Sequence, residues 1–462
     1  MAEKDLVINE WNKGIAQSPL LGFANMVGID TESYPGFAEI NFKPVNMASG
    51  LIANTPNWFV RNPLTGNIYC LDASGILYTS SDLGNTWAII GGNTRTGARG
   101  NGLAVWKDYI FVTRDNRLDK FGPLSSSPSW TNDFTSYQDS ETFNPICIGQ
   151  DDRLYWAAGN KVYALSDVST SVGEVLDLPS GYVISSLCEF GYNLAIGANI
   201  PYSSTANIYM WDRISSTFEY PIILNEEKIH QLLTVSNNLY VVAGDSANLY
   251  ISNGSDVQLV YSFPTYITGI YGSEELTLQP GAIMQFRGKI YTGIGGVYGD
   301  QNGVYSIGKD GVICEHIIST GTKAGVTIGA VYPISVDKYL IGWKDGSSYG
   351  IDLLTTSSTY SDYTAFIESA LFRVGTRVSP KAFSKIEVIL SDELASGHGI
   401  RIKYRKNLTD SFTTLATFDY ATYGAKNTFT RPFGISCSDL QIRIEMTSSD
   451  TTSPRLNEIR IS

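Results

Sequence analysis

Residues 231–263 read QLLTVSNNLYVVAGDSANLYISNGSDVQLVYSF. Four short runs stand out: Leu233-Thr234-Val235, Leu239-Tyr240-Val241-Val242, Ala247-Asn248-Leu249-Tyr250-Ile251 and Val257-Gln258-Leu259-Val260-Tyr261. Ser236-Asn237-Asn238, Gly244-Asp245-Ser246 and Asn253-Gly254-Ser255-Asp256 separate them. Runs rich in Val, Ile, Leu and Tyr, punctuated by Asn, Gly, Asp and Ser, predict strands joined by tight turns. A lone four-stranded meander of this length has two apolar faces and nothing to bury them against. It needs copies of itself to stack on.

Copies are present. A polar turn pair followed by an apolar or aromatic anchor recurs, with anchors at Ile68, Tyr109, Leu154, Leu194, Leu239, Ile290 and Tyr339. The steps between anchors are 41, 45, 40, 45, 51 and 49 residues. Several copies repeat a second hairpin, at Lys161-Val162-Tyr163, Asn207-Ile208-Tyr209, Asn248-Leu249-Tyr250 and Gly303-Val304-Tyr305. A period in the forties with four short strands per unit predicts a β-propeller. The expected fold class is all-β: a propeller of about seven blades over residues 52–369, followed by a C-terminal β-sandwich over 370–462.

Residues 1–51 do not match the repeat and read as an extended N-terminal arm, whose last strand is expected to complete the first or last blade. After residue 369 the pattern changes. Phe383–Leu390, Ile400–Lys406 and Leu440–Met446 alternate over longer strands, which is the signature of a separate sandwich. The Ser/Thr-rich passage at 354–364 reads as the hinge between the two.

The charge is uneven. Residues from Leu371 onward hold 13 Lys+Arg against 9 Asp+Glu, a net of +4, which leaves −16 for residues 1–370. An acidic propeller argues against general nucleic-acid affinity. No apolar run reaches the roughly 18 residues that span a membrane. The start, MAEKDLVINEW, has acids where a secretory signal has a basic opening and an apolar core. The five cysteines (Cys70, Cys147, Cys188, Cys314, Cys437) are widely spaced and read as free thiols in strands.

The most specific local motif is Ser80-Ser81-Asp82-Leu83-Gly84-Asn85-Thr86-Trp87. It fits S-x-D-x-G-x-T-W and resembles the Asp-box hairpin turns of sialidases and many other propellers. Asp82 is expected to accept backbone N–H bonds, Gly84 to supply a positive φ, and Trp87 to pack back over the blade, with Ser80 opening the turn. The role expected of Ser80, Asp82, Gly84 and Trp87 is therefore structural. Trp106, Trp130, Trp156 and Trp211 are read as core rather than as platforms for sugars.

No catalytic, metal or cofactor site emerges. The three histidines (His230, His316, His398) lie far apart, and the sequence has no G-x-S-x-G or H-E-x-x-H. Glycoside cleavage needs two facing carboxylates. The candidates, Asp151-Asp152, Glu226-Glu227 and Glu274-Glu275, all sit in turn regions where solvated acids are expected. The glycines of 293–303 lack the lysine and following helix of a phosphate cradle and read as a loop.

Gly14-Ile15-Ala16-x-Ser18-Pro19 with Pro35-Gly36 is similar to openings of tailed-phage tail proteins. The run Leu440 to Ile461, with Ser453-Pro454-Arg455-Leu456, resembles their C-terminal sandwich. The order of propeller then sandwich resembles the nozzle or hub proteins of short-tailed phages. The resemblance implies a virion structural protein acting in assembly and genome passage as a homo-oligomeric ring. Its partners would be other tail proteins. A receptor- or glycan-binding tail protein is the alternative, and a glycan-cleaving enzyme comes third. Arg401, Lys403 and Arg405 share one face of a strand, and cations so placed need solvent or opposing acids. An acidic propeller on a neighbour would supply them, which makes these three the expected assembly contact.

Overall fold

The computed structural model describes residues 5–15, 23–92, 101–137, 143–169, 173–263, 277–296, 302–308, 311–320, 325–355, 360, 364–376, 379–449 and 451–462. The chain divides into two units, one of residues 46–303 and 320–353, the other of residues 1–45, 304–319 and 354–462.

The first unit holds the first strands of seven sheets, arranged as a ring. The stretch 231–263 forms one of them, with strands Ile229–Val235, Asn238–Ala243, Asn248–Ser252 and Val257–Tyr261 hydrogen-bonded in that order. The first strands of the seven blades are Pro56–Arg61, Gly102–Trp106, Ile146–Ile148, Val183–Phe190, Ile229–Val235, Ile283–Phe286 and Val326–Ser335. Each packs on the next, and Val326–Ser335 packs on Pro56–Arg61, which closes the ring. All seven anchors fall on the first or second residue of a blade's second strand. The turn chemistry before each anchor therefore marks where the chain reverses.

Neighbouring blades bury their faces on each other. Leu71 and Leu77 of the first blade join Leu103, Val112 and Phe121 of the second in one core. Trp211 of the fourth blade joins Tyr155 and Val162 of the third, and Phe59 of the first joins Leu340 and Ile351 of the seventh. Trp106, Trp156 and Trp211 are buried, and Trp130 is half-buried.

The seventh blade takes its fourth strand from Val45–Asn46, beside Ser348–Leu354, and the Met47 amide donates to the Ile351 carbonyl at 2.8 Å. Closure thus uses a strand just beyond the alternation at residues 38–42, of which Glu39–Ile40 pairs instead with Ile29–Asp30. Where first strands meet, side chains are missing. A Cβ on Gly329 would lie 2.1 Å from the Pro56 carbonyl oxygen, and one on Gly281 equally close to that of Asn57.

The second unit departs from the expected division at 369/370. One of its sheets runs Leu6–Ile8, Leu456–Ile461, Lys381–Leu390, Thr428–Cys437. In the other, Gly311–His316, Phe23–Val27, Ala365–Ser369, Asp439–Thr447, Gly399–Arg405 and Thr413–Asp419 are successive neighbours. The sheets meet through Tyr404 on Phe433 (5.4 Å between ring centres) and Phe418 on Phe429 (5.1 Å). The described residues of the N-terminal arm expected over 1–51 thus supply strands to both of these sheets. Leu6, Val7 and Ile8 pair with Ile461, Arg460 and Ile459, and Val27 pairs with Phe366. The physical reason is that strands of the 370–462 segment would otherwise present open edges, and N-terminal and mid-chain strands fill them. Of the hinge expected at 354–364, residues 356–359 and 361–363 lie outside the described residues.

Candidate functional site

The turn at 80–87 is built as a self-contained knot. Leu77–Ser80 enters it and Ala88–Ile89 leaves. The Ser80 hydroxyl donates to Asp82 Oδ1 at 2.8 Å and accepts from the Gly84 amide at 2.8 Å. The Thr86 amide donates to Asp82 Oδ1 at 2.8 Å and its hydroxyl to Oδ2 at 2.7 Å. Slight burial works against the Asp82 charge, but the Thr86 and Ser80 bonds outweigh it, and the carboxyl titrates below its ordinary value. Leu83 and Gly84 both take positive φ, at 59° and 89°. Trp87 Nε1 donates to the Gly84 carbonyl at 3.1 Å, and its ring lies 6.0 Å from that of Phe59. The carboxylate is engaged by its own loop.

Sequence reasoning passed over a tighter knot in the same blade. Asp72 is fully buried and accepts from the Ser74 amide (2.9 Å), the Ser74 hydroxyl (2.7 Å), the Ile76 amide (2.9 Å) and the Tyr78 hydroxyl (3.0 Å). The signal that finds it is the spacing Asp72-x-Ser74-Gly75-x-x-Tyr78 between two apolar runs.

The candidate carboxylates are used in the same way. Asp151 accepts from the Tyr155 hydroxyl at 2.6 Å. Asp152 accepts from Trp106 Nε1 at 3.1 Å and pairs with Lys107 at 3.2 Å. Glu226 takes Asn248 Nδ2 at 2.7 Å and the Tyr250 hydroxyl, whereas Glu227 is exposed. Glu274 and Glu275 lie outside the described residues. Among the described residues no group of three or more His, Cys, Asp or Glu is arranged to hold a metal ion. His230 and His316 are buried, and burial pushes each down to about 3, with the Lys228 charge adding to the effect at His230.

Arg401, Lys403 and Arg405 do share one sheet face, but the first two find their acid inside their own sheet. Glu445, on the adjacent strand Asp439–Thr447, is 4% exposed. It lies 3.3 Å from Arg401, 2.6 Å from Lys403 and 3.1 Å from Arg443. Arg443 also pairs with Glu368 at 3.0 Å and stacks 3.7 Å from the centre of the Phe366 ring. Register makes this inevitable, since Arg401 stands opposite Glu445 and Glu368 opposite Arg443. Arg405 differs. Its Nε donates to Gln441 Oε1 at 2.6 Å, its Nη1 donates to the Leu408 carbonyl at 2.8 Å, and its guanidinium stacks on Phe412 at 4.5 Å.

No family model and no curated protein matches the sequence. Among solved structures, the extracellular domain of a B. thetaiotaomicron protein described as a hybrid two-component system is 14% identical, with a TM-score of 0.50. That match covers 79% of this chain, which spans 44% of that structure's chain. The WD40 repeats of RRP9 are 11% identical over 68% of this chain and 97% of theirs, with a TM-score of 0.49. YCF48 bound to D1 peptide is 12% identical over 72% and 99%, with a TM-score of 0.48. At such identities the likeness is one of fold. The chain is an all-β propeller protein.

Proposed function

We propose that the chain is a structural component of a phage tail: a nozzle, hub or adaptor ring acting in assembly and genome passage. The observation that carries this reading is the weave of the chain. An N-terminal strand closes the propeller, and the strands just before it are built into the sheets formed by the C-terminal third. A load on either unit is thereby shared among strand pairs hundreds of residues apart, which suits a mechanical part. The acids of 151, 152 and 226, spent on turns and blade contacts, fit the same reading. The test is the mass of the purified chain, alone and mixed with tail extract. A stable ring in either supports the proposal, and a monomer under both conditions removes it.

A second reading, receptor or glycan binding, is favoured by Tyr192, Tyr202 and Tyr220. All three belong to the fourth blade and are 87%, 107% and 96% exposed. Aromatic faces open to solvent can stack on sugars. Binding to a glycan array that is lost in the Tyr192→Ala, Tyr202→Ala and Tyr220→Ala variants establishes this reading.

A further inference from the structure

We infer that the outer edge of the fifth blade, the strand Val257–Tyr261, pairs antiparallel with the same strand of a second copy of this chain. The outermost strand of a blade has one free side of backbone donors and acceptors, and such edges are ordinarily kept short, charged or covered. The other six blades follow that rule. Ala88–Ile89 and Val45–Asn46 are two residues long, and Ile222–Leu224 is three. Ser129–Ser136 carries Asp133, and Gly173–Asp177 carries Glu174 and Asp177. Gly311–His316 is covered by the chain's own N-terminal strands: the Ile15 amide donates to the Val312 carbonyl at 2.7 Å and the Gly28 amide to the Cys314 carbonyl at 2.9 Å. Among the described residues Val257–Tyr261 has none of these protections. It is five residues long, uncharged and last in its sheet. Its ends are anchored, Val257 against the core shared by the fourth and fifth blades and Tyr261 beside Phe263 at 5.0 Å between ring centres. Between them Gln258 is exposed, and Leu259 and Val260 are 53% and 43% exposed.

Charge identifies the occupant. The whole chain nets −12, so two copies repel, but the run Val257–Phe263 holds no charged side chain and is a neutral window between them. Val257, Gln258 and Leu259 stand in unbroken register against Ser252, Ile251 and Tyr250, and the extra residue of the bulge falls at Val260. Regular strand backbone is therefore offered at 257–259. Laid antiparallel about Gln258, that stretch sets Val257 opposite Leu259 twice over, Gln258 opposite itself, and Asp256 opposite the uncharged Val260. A parallel pairing in register would instead set Asp256 beside Asp256, and like charges so placed are destabilising. The antiparallel contact is self-complementary, as a two-fold axis requires. It goes beyond the assembly reading, since a two-fold contact stops at two copies and a larger ring needs another contact besides.

The experiment is sedimentation velocity on the full chain from about 1 µM to about 100 µM, a span that suits a small interface, at about 50 mM and about 500 mM salt. Wild type is compared with Leu259→Lys, and thermal melting verifies that the variant is folded. The expected result is a self-association whose dissociation constant rises at least tenfold in Leu259→Lys. In wild type it is no weaker at high salt, because screening relieves the repulsion between acidic copies. In parallel, Gln258→Cys and Ile223→Cys, the latter on the outer strand of the fourth blade, are exposed to oxidised glutathione. It accepts the two electrons and two protons of a pair of thiols and leaves as two molecules of reduced glutathione. Residues facing each other across an antiparallel pair lie within disulfide reach, so Gln258→Cys is expected to give a covalent dimer above the wild-type background and Ile223→Cys is not. An oligomer unchanged by Leu259→Lys, one weakened by salt, or a Gln258→Cys variant that crosslinks no more than Ile223→Cys overturns this contact and leaves the assembly reading standing. A wild-type chain that stays monomeric throughout also overturns it, and the assembly reading then rests on its own test with tail extract. If Leu259→Lys fails to fold, the crosslink decides alone.

Discussion

Asp82 and Asp72 do the same work at different depths, and the difference sets what each is worth. Asp82→Ala strands the Thr86 and Ser80 donors in a turn that water reaches, so the expected cost is roughly 0.5–2 kcal/mol. Asp72→Ala strands four donors around a carboxylate that is itself fully buried, and about 3 kcal/mol is expected. Urea denaturation of the two variants tests the order; equal losses would deny that burial is the cause. The histidines make a separate prediction. His230 and His316 are held neutral when folded, down to about 3, whereas in the unfolded chain each takes a proton near pH 6.5. Below about 6.5 the unfolded state therefore binds more protons, and stability falls as the pH drops toward 3. The slope is about 1.4 kcal/mol per pH unit for each group. Melting curves of wild type and His316→Asn between pH 7 and pH 5 should converge as the pH falls. At this scale the motif at 80–87 was readable because its partners lie within eight residues. Asp72 was not, because Asp-x-Ser-Gly is common in turns and only burial gives it weight.

Strand by strand, the hairpins were legible and the ring contacts were not. Every anchor from Ile68 to Tyr339 is the first or second residue of a second strand, since an Asn, Asp or Gly turn followed by an apolar side chain is a local code. First strands escape that code. Ile229–Val235 begins four residues before Leu233, a start hidden from the apolar pattern by His230 and Gln231. Gln231 is nevertheless buried. Its Nε2 donates to the Gln279 carbonyl at 2.7 Å and its Oε1 accepts from the Thr292 hydroxyl at 2.9 Å, partners that lie in the next blade. Glycines at the blade contacts are equally silent in sequence. Gly329→Ala should lower the melting temperature, because the Pro56 carbonyl leaves the new methyl no room; overpacking of this kind costs typically 1–3 kcal/mol. Gly50→Ala makes the contrast, since a Cβ there meets nothing within 4 Å and the strain is only that of a φ of 73°.

For the whole molecule, the composition, the period and the acidity of the propeller were readable, and the boundary was not. Pairings such as Leu6 with Ile461 or Val27 with Phe366 join residues whose partners no local pattern specifies. The consequence is testable by limited proteolysis. A cut in the Ser/Thr-rich passage at 356–363 should leave both fragments comigrating on a native column. The downstream piece remains paired to Leu6–Ile8 and Phe23–Val27. Release of a free fragment of about 100 residues, the size of a small domain, would contradict the interleaved sheets.

The strand Val45–Asn46 also imposes a timetable. It emerges from the ribosome early, yet the blade it completes ends near Leu354. At about 5–20 residues per second, the intervening stretch of about 300 residues takes roughly 15–60 seconds to translate. During that interval the first six blades can stack in order while Val45–Asn46 waits with its backbone groups unpaired. The nascent propeller is an open arc until its last blade arrives, and only then does its earliest strand become structural.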